Sequence, residues 1–259
     1  MTNILKAIKR IVDNPIPDLV SYYKGKNRIN SVSDTLDYFV KDIFANSINE
    51  SEEYKKLEKY NDVFAYMGNP NNPPDLILKD GDSIIIRQVE SLSSEIILTG
   101  SYPRYKLLAD DSAISPHCCN CESWSVKDLI YIIGVAENNQ IAELWLIYGD
   151  CYFADIRVYE NLLNVTDPLQ VTRFNNSSKC RIALPKDTFN YLSGLRYSHR
   201  FAVNCILRKD KYYSFTSSDR KNLEELTLNK KLLIKNVEIK NPNNPENTIS
   251  AKLISFVND

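Results

Sequence analysis

The stretch Asn71-Asn72-Pro73-Pro74-Asp75-Leu76-Ile77-Leu78-Lys79 is followed by Asp80-Gly81-Asp82 and by Ser83-Ile84-Ile85-Ile86-Arg87-Gln88-Val89-Glu90-Ser91. Two short aliphatic runs around an Asp-Gly-Asp turn predict a β-hairpin, with Pro-Pro-Asp at the head of its first strand. Side chains alternate across a strand, so Ile85, Arg87 and Val89 share one face while Ile84, Ile86, Gln88 and Glu90 share the other. The hairpin therefore sets one carboxylate, Asp75, at the start of a strand beside a second strand that carries Arg87.

Working outward, the residues before the hairpin read as helical. Ile4, Ile8, Ile11 and Val12 recur at helical spacing, and Pro15 with Pro17 ends that element. Ser33 reads as the N-cap of a second helix whose buried side is Leu36, Phe39, Val40, Ile43 and Phe44. A shorter charged helix is expected from about Ser51 to Tyr60. Beyond residue 63 the pattern turns to strands: Val63 to Tyr66, Asp75 to Lys79, Ser83 to Val89, then Leu129 to Val135 and Ile141 to Tyr148 around Asn138-Asn139. The last two arms are almost continuously apolar, as central strands covered on both faces should be. A helix from Ala154 to Leu163 and strands at Ala202 to Leu207, Leu232 to Ile239 and Ser250 to Phe256 complete the reading. Helices followed by a sheet predict one α/β domain over residues 1–259, helical through 62 and sheet-centred from 63.

Composition narrows the class. The chain has 259 residues, 43% hydrophobic and 25% charged, which suits one soluble globular core. It begins without a signal-peptide apolar core, and no apolar run approaches the roughly 18 residues of a membrane helix. A cytoplasmic protein without membrane contact is expected. Thirty-two cations against 33 acids give a net charge of −1, so any affinity for nucleic acid must come from local patches. The six cysteines lie at 118, 119, 121, 151, 180 and 205, a spacing that suits reduced thiols better than a disulfide framework. One Cys-x-x-Cys, Cys118 to Cys121, beside His117 is a weak signal for structural Zn²⁺; small buried thiols are the preferred reading.

Candidate binding residues cluster in two places. Tyr22-Tyr23-Lys24-Gly25-Lys26-Asn27-Arg28 holds two aromatics and three cations with no acid. That suits phosphate contact and base or sugar packing, or equally a solvated connection between helices. Arg104 and Lys106, after Tyr102-Pro103, can grip a phosphate backbone or read guanine edges. A further group, Arg196, His199 and Arg200, is less specific. On spacing alone, Asp75 is more often a turn residue than a catalytic one.

Ordered segments along most of the chain resemble the NgoPII-type family of type II restriction endonucleases. They include Val12-Asp13-Asn14-Pro15-Ile16, Tyr22 to Arg28, Phe39-Val40-Lys41-Asp42-Ile43-Phe44-Ala45, Asn71 to Leu76, and Ser101-Tyr102-Pro103-Arg104-Tyr105-Lys106-Leu107. Cys118 to Trp124, Lys127-Asp128-Leu129-Ile130-Tyr131, Tyr148-Gly149-Asp150-Cys151-Tyr152 and Val165-Thr166-Asp167-Pro168-Leu169 continue the series. The resemblance implies a PD-(D/E)-x-K nuclease fold, that is, a mixed central sheet flanked by helices. It also implies Mg²⁺ dependence and a cytoplasmic homodimer that cleaves double-stranded DNA at a short palindrome within a restriction-modification system.

It further implies that Asp75 is the first acidic position and a metal ligand, while Ile85 and Arg87 stand where relatives carry Glu and Lys. Gln88 replaces a second Lys, and Glu90 and Ser91 are retained. Asp75, Arg87 and Glu90 are the expected catalytic residues, and Tyr23, Lys24, Lys26, Arg28, Arg104 and Lys106 the expected DNA contacts. A carboxylate from Glu90, Asp82, Asp110, Asp111 or Asp37 can stand in for the missing Glu. The alternative is a catalytically impaired, sequence-selective DNA-binding protein on the same scaffold.

Overall fold

The computed structural model of the chain describes residues 1–14, 16, 18–26, 31–69, 72–89, 96–99, 104–111, 114–138, 140–155, 157, 179–182, 201–229 and 232–257. Four helices come first: α1 (Ile4–Asp13), α2 (Leu19–Lys26), α3 (Val32–Ala45) and α4 (Glu53–Val63). The side chain of Asn3 caps α1 by accepting from the Lys6 amide, and the helix stops at Asn14, just before Pro15. The cap of α3 is Ser31, which accepts from the Asp34 amide. Ser33, the expected cap, therefore lies inside the helix, which begins two residues earlier than expected.

Strands β1 (Phe64–Asn69), β2 (Asn72–Leu78), β3 (Ser83–Val89), β5 (Lys106–Leu108), β6 (Val126–Glu137), β7 (Gln140–Tyr148), β9 (Ala202–Arg208), β10 (Leu233–Asn241) and β11 (Asn244–Val257) build the main sheet. Its order among the described residues is β1-β2-β3-β6-β7-β9-β11-β10, with β5 on the side of β6. The pairs β3–β6 and β7–β9 are parallel and the others antiparallel, so the sheet is mixed, as expected. A separate two-stranded ribbon joins β4 (Ile96–Thr99) to β8 (Lys179–Ile182). The short helices α5 (Pro116–Cys119) and α6 (Lys209–Ser214), the longer α7 (Ser217–Leu228) and a 3-10 turn at Gly149–Cys151 are the other described elements. Most of the expected helix at Ala154 to Leu163 lies outside the described residues.

The two faces of the sheet carry different cores. One buries the stripes of α1 and α3 against Leu76, Ile84, Ile130, Ile132, Leu144 and Leu146. A methyl on Gly134 would lie 2.8 Å from Leu36 Cδ2, so this glycine lets α3 settle directly on β6. The other face gathers Ile85, Val89, Tyr131, Ile133, Val135, Trp145, Ile147 and Phe153. Ile84 and Ile85 thus fall on opposite sides, as alternation requires.

The helical layer also buries one carboxylate. Asp42, fully enclosed, accepts from Tyr23 Oη at 2.8 Å, Lys56 Nζ at 2.7 Å, Tyr60 Oη at 2.6 Å and Ser47 Oγ at 2.6 Å. Four donors on two oxygens satisfy a charge that would otherwise be very costly to bury. Burial, with Asp42 alongside, pushes the Tyr23 and Tyr60 hydroxyls far above their ordinary range, so both remain donors.

Candidate active site and nucleic-acid interface

Asp75 sits on β2 where the ladder to β3, paired at Leu76–Ile84 and Ile77–Ser83, runs out. Its carboxylate takes over from the missing strand partner. Oδ2 accepts from the Ile86 amide at 2.6 Å and from Arg87 Nη1 at 3.2 Å. The same Nη1 donates to the Ile86 carbonyl at 2.6 Å. One guanidinium nitrogen therefore bridges a carboxylate oxygen of β2 and a main-chain oxygen of β3.

The two side chains are about a quarter exposed, 22% for Asp75 and 27% for Arg87. Burial pushes the Asp75 carboxyl above its ordinary value and outweighs the opposing pull of Arg87 and the Ile86 amide; nearby Asp37 adds to the rise. Ile85, one residue before that amide, is buried beside Val89 and Tyr131. It fills the core and offers no ligand atom.

Three of the carboxylates that could replace the missing one, Asp37, Asp111 and Asp82, are occupied elsewhere. Asp37 pairs with Lys41 at 2.5 Å on its own helix. Asp111 accepts from Arg104 Nε. Asp82 is buried and accepts from Tyr148 Oη at 2.6 Å and Lys211 Nζ at 2.9 Å. No hydrogen bond is described for Asp110, which stands in an exposed turn. Glu90 lies outside the described residues. Among the described residues no three His, Cys, Asp or Glu side chains come together in a way that could hold a metal ion.

The basic segments separate. Tyr23, expected at a DNA surface, is instead fully buried in α2 and hydrogen-bonded to Asp42, so it is a core residue and cannot touch DNA. Its neighbour Tyr22 donates to the Ile48 carbonyl at 2.6 Å. Lys24 and Lys26 fall in the last turn of α2, and their side chains, like all of Arg28, lie outside the description. Residues 22–26 of the stretch that also read as a connection between helices belong to α2 itself. Arg104 is tied to the second face of the sheet: the Tyr131 hydroxyl donates to its carbonyl at 2.9 Å, and its guanidinium pairs with Asp111. A methyl on Gly149 would come within 2.5 Å of the Tyr105 carbonyl, so only glycine admits this segment so close. Arg196, His199 and Arg200 are outside the described residues.

Lys106 lies opposite Asp128 in the β5–β6 ladder and pairs with it at 3.1 Å. Asp128 also accepts from Lys211 at 2.6 Å, and Lys211 reaches Asp82. This Asp82–Asp128–Lys211–Lys106 cluster forms near the starts of β3 and β6, where the Lys211 side chain of α6 reaches both acids. Arg87 is five positions along β3 from Asp82, on the order of 16 Å at strand rise, so Lys106 does not gather around Asp75. Nothing in the local sequence pointed to Lys211, which is 129 residues from Asp82.

The cysteines disperse as well. Cys118 is buried with Tyr66, Ile77 and Leu107, its thiol pushed up to about 12 by burial, while Cys151 and Cys205 belong to the helical-face core. The five whose side chains are described are free thiols.

The chain matches the family model described as NgoPII restriction endonuclease over residues 2–166 and 163–240. It is 33% identical to the type II restriction enzyme NgoPII of Neisseria gonorrhoeae over an alignment of 279 positions, gaps included, covering 98% of this chain and 99% of that protein. No solved structure matches it.

Proposed function

The chain belongs to the NgoPII restriction endonuclease family, and from that membership we propose that it is a type II site-specific deoxyribonuclease. On this reading it cleaves double-stranded DNA at a short palindrome as the nuclease of a restriction-modification system. The observation that carries the reading is collinearity with a type II restriction enzyme over nearly the full length of both chains. The Pro-Pro-Asp hairpin, which pairs with β6 in the sheet, supports it. No described helix is long and apolar enough to cross a membrane, which accords with a cytoplasmic enzyme. A homodimer supplies one hairpin to each strand of a palindrome.

Hydrolysis of a phosphodiester forms a bond from water oxygen to phosphorus and breaks the bond to the leaving sugar oxygen, with negative charge growing on the phosphoryl oxygens. Arg87 is the group placed to offset that charge, and Asp75 holds it in position. Glu90 is the further carboxylate proposed for the same site. Lys24, Lys26 and Arg28 are the proposed phosphate contacts. Arg104 and Lys106 reach phosphate only by exchanging Asp111 and Asp128 for it.

Restriction endonucleases generally use a divalent metal. Mg²⁺ requires near-octahedral oxygen ligands at about 2.0–2.1 Å. The described hairpin residues do not fit that requirement: Asp75 Oδ2 and the Ile86 carbonyl are both held by Arg87, and the Ile85 side chain has no oxygen to give. At this pair the positive charge is Arg87's own. The test is incubation with plasmid DNA plus Mg²⁺ or Mn²⁺. Discrete fragments of reproducible size are expected; an unbroken plasmid or a continuous smear overturns the reading.

A further inference from the structure

Two oxygens within reach of one guanidinium nitrogen, Asp75 Oδ2 and the Ile86 carbonyl, are the kind of hard ligand a divalent cation binds. A cation already lies between them. Arg87 Nη1 is 3.2 Å from the first and 2.6 Å from the second. The arrangement is built into the backbone, since the Ile86 amide also holds Asp75 Oδ2 at 2.6 Å and fixes the carboxylate facing the guanidinium. On the side where relatives are expected to place a further carboxylate stands Ile85, packed among apolar side chains.

Guanidinium carries five N–H donors in a rigid fork, and it does not deprotonate. The bonds described here use Nη1 alone; among the described residues Nε and Nη2 have no acceptor. Part of the side chain is exposed. A guanidinium pinned through one nitrogen and open through the others is suited to a phosphate, whose paired oxygens match the fork.

We propose that Arg87 is the resident cation of this hairpin in place of a divalent ion, and that its remaining N–H groups bind a phosphate of duplex DNA. The hairpin thus engages DNA without a bound divalent ion. This rests on the reading of the chain as a DNA-acting member of its family, and it goes beyond that reading by assigning the charge at the site to the protein itself.

Binding of a fluorescein-labelled mixed-sequence duplex to the full-length chain tests it, in EDTA and in Mg²⁺ at matched ionic strength. Equal affinity and equal salt dependence in the two buffers are expected. Arg87→Gln should flatten the slope of log affinity against log salt by about one unit, and Arg87→Lys, which keeps the charge, should restore it. Mn²⁺ titrated into the DNA-free protein and followed by electron paramagnetic resonance should show no site that Asp75→Asn removes. Duplex binding that appears only with Mg²⁺, an unchanged slope in folded Arg87→Gln, or an Asp75-dependent Mn²⁺ site overturns the proposal and leaves the nuclease reading standing. A wild-type chain that retains no duplex at low salt in either buffer sinks both. The comparison of buffers uses wild-type protein, so it decides even if a variant does not fold.

Discussion

At Asp75 two physical effects oppose each other. Loss of water raises the carboxyl, while a guanidinium and a backbone amide lower it; burial prevails. Ile85 contributes to that dryness and supplies no ligand. Replacing Ile85 with Glu and Arg87 with Lys withdraws the guanidinium fork and adds a second carboxylate, so the pair becomes able to hold a metal ion. Lewis-acid stabilisation is worth several kcal/mol, so a gain of roughly a hundredfold or more in plasmid cleavage with Mg²⁺ is expected of the double variant. No gain, in a variant that melts as one cooperative unit and binds duplex, places the chemistry away from this hairpin. Asp75 was legible in the sequence because Pro-Pro-Asp before an apolar run announces the head of a strand. Tyr23 was misjudged, because aromatics among lysines suit a DNA surface as well as a helix. The spacing that reveals its burial is Leu19, Val20 and Tyr23, one stripe of α2 facing the core. Tyr23→Phe removes one of four donors to Asp42, and should cost about 1 kcal/mol in urea unfolding while leaving duplex affinity unchanged. A loss of affinity without a loss of stability would restore Tyr23 to the DNA surface.

Elements divide by how local their cause is. The β6–β7 hairpin followed from two apolar runs around Asn138-Asn139, and Asn138 does adopt a positive φ of 52° at the turn. Helices α1 and α3 followed from apolar stripes, although α3 starts two residues earlier than a cap at Ser33 predicts. The helices α2, α6 and α7, by contrast, have weak stripes or little length and were not foreseen. Strand order was equally illegible, because parallel pairing of β3 with β6 depends on contacts between segments far apart in the chain. The Asp82–Asp128–Lys211 cluster is a consequence of that topology, for it exists only where β3, β6 and α6 meet. Burial raises the Asp128 carboxyl, but hydrogen bonds from Lys211 and Lys106 outweigh it, and the net shift is downward from 3.8. Burial likewise lowers Lys211, yet Asp82 and Asp128 prevail and its net shift is upward from 10.5. A depressed carboxylate stabilises above its ordinary value and loses that contribution as pH falls through the lowered one. A raised lysine stabilises below its ordinary value and loses that contribution as pH rises through the raised one. Lys211→Met should therefore cost about 3 kcal/mol at neutral pH, because it leaves the largely buried Asp82 without its cation. In urea unfolding across pH, the gap between wild type and variant should be level between 3.8 and 10.5 and narrow outside those limits. A gap that does not change with pH would show that Lys211 acts by packing alone.

For the molecule as a whole, a net charge of −1 provides no general attraction to DNA. Association must come from local cations set into a neutral surface, so it should weaken steeply with salt in proportion to the phosphates contacted. One chain presents one Asp75–Arg87 pair. Cutting both strands at a palindrome asks for two such pairs related by a two-fold axis, and a closed symmetric dimer is the economical arrangement. Sedimentation of the chain with a short duplex carrying its cleavage site should give two chains per duplex. The sharper measurement mixes wild-type chains with an excess of Asp75→Asn chains under conditions where subunits exchange. If each protomer serves one strand, the mixed dimers cut only one, and nicked circular plasmid should accumulate ahead of linear product. Wild type alone should pass to linear product with little nicked intermediate. One chain per duplex in sedimentation, or mixtures that merely cleave more slowly with an unchanged ratio of nicked to linear plasmid, would mean that a single chain makes both cuts, and the two-fold arrangement would then fall.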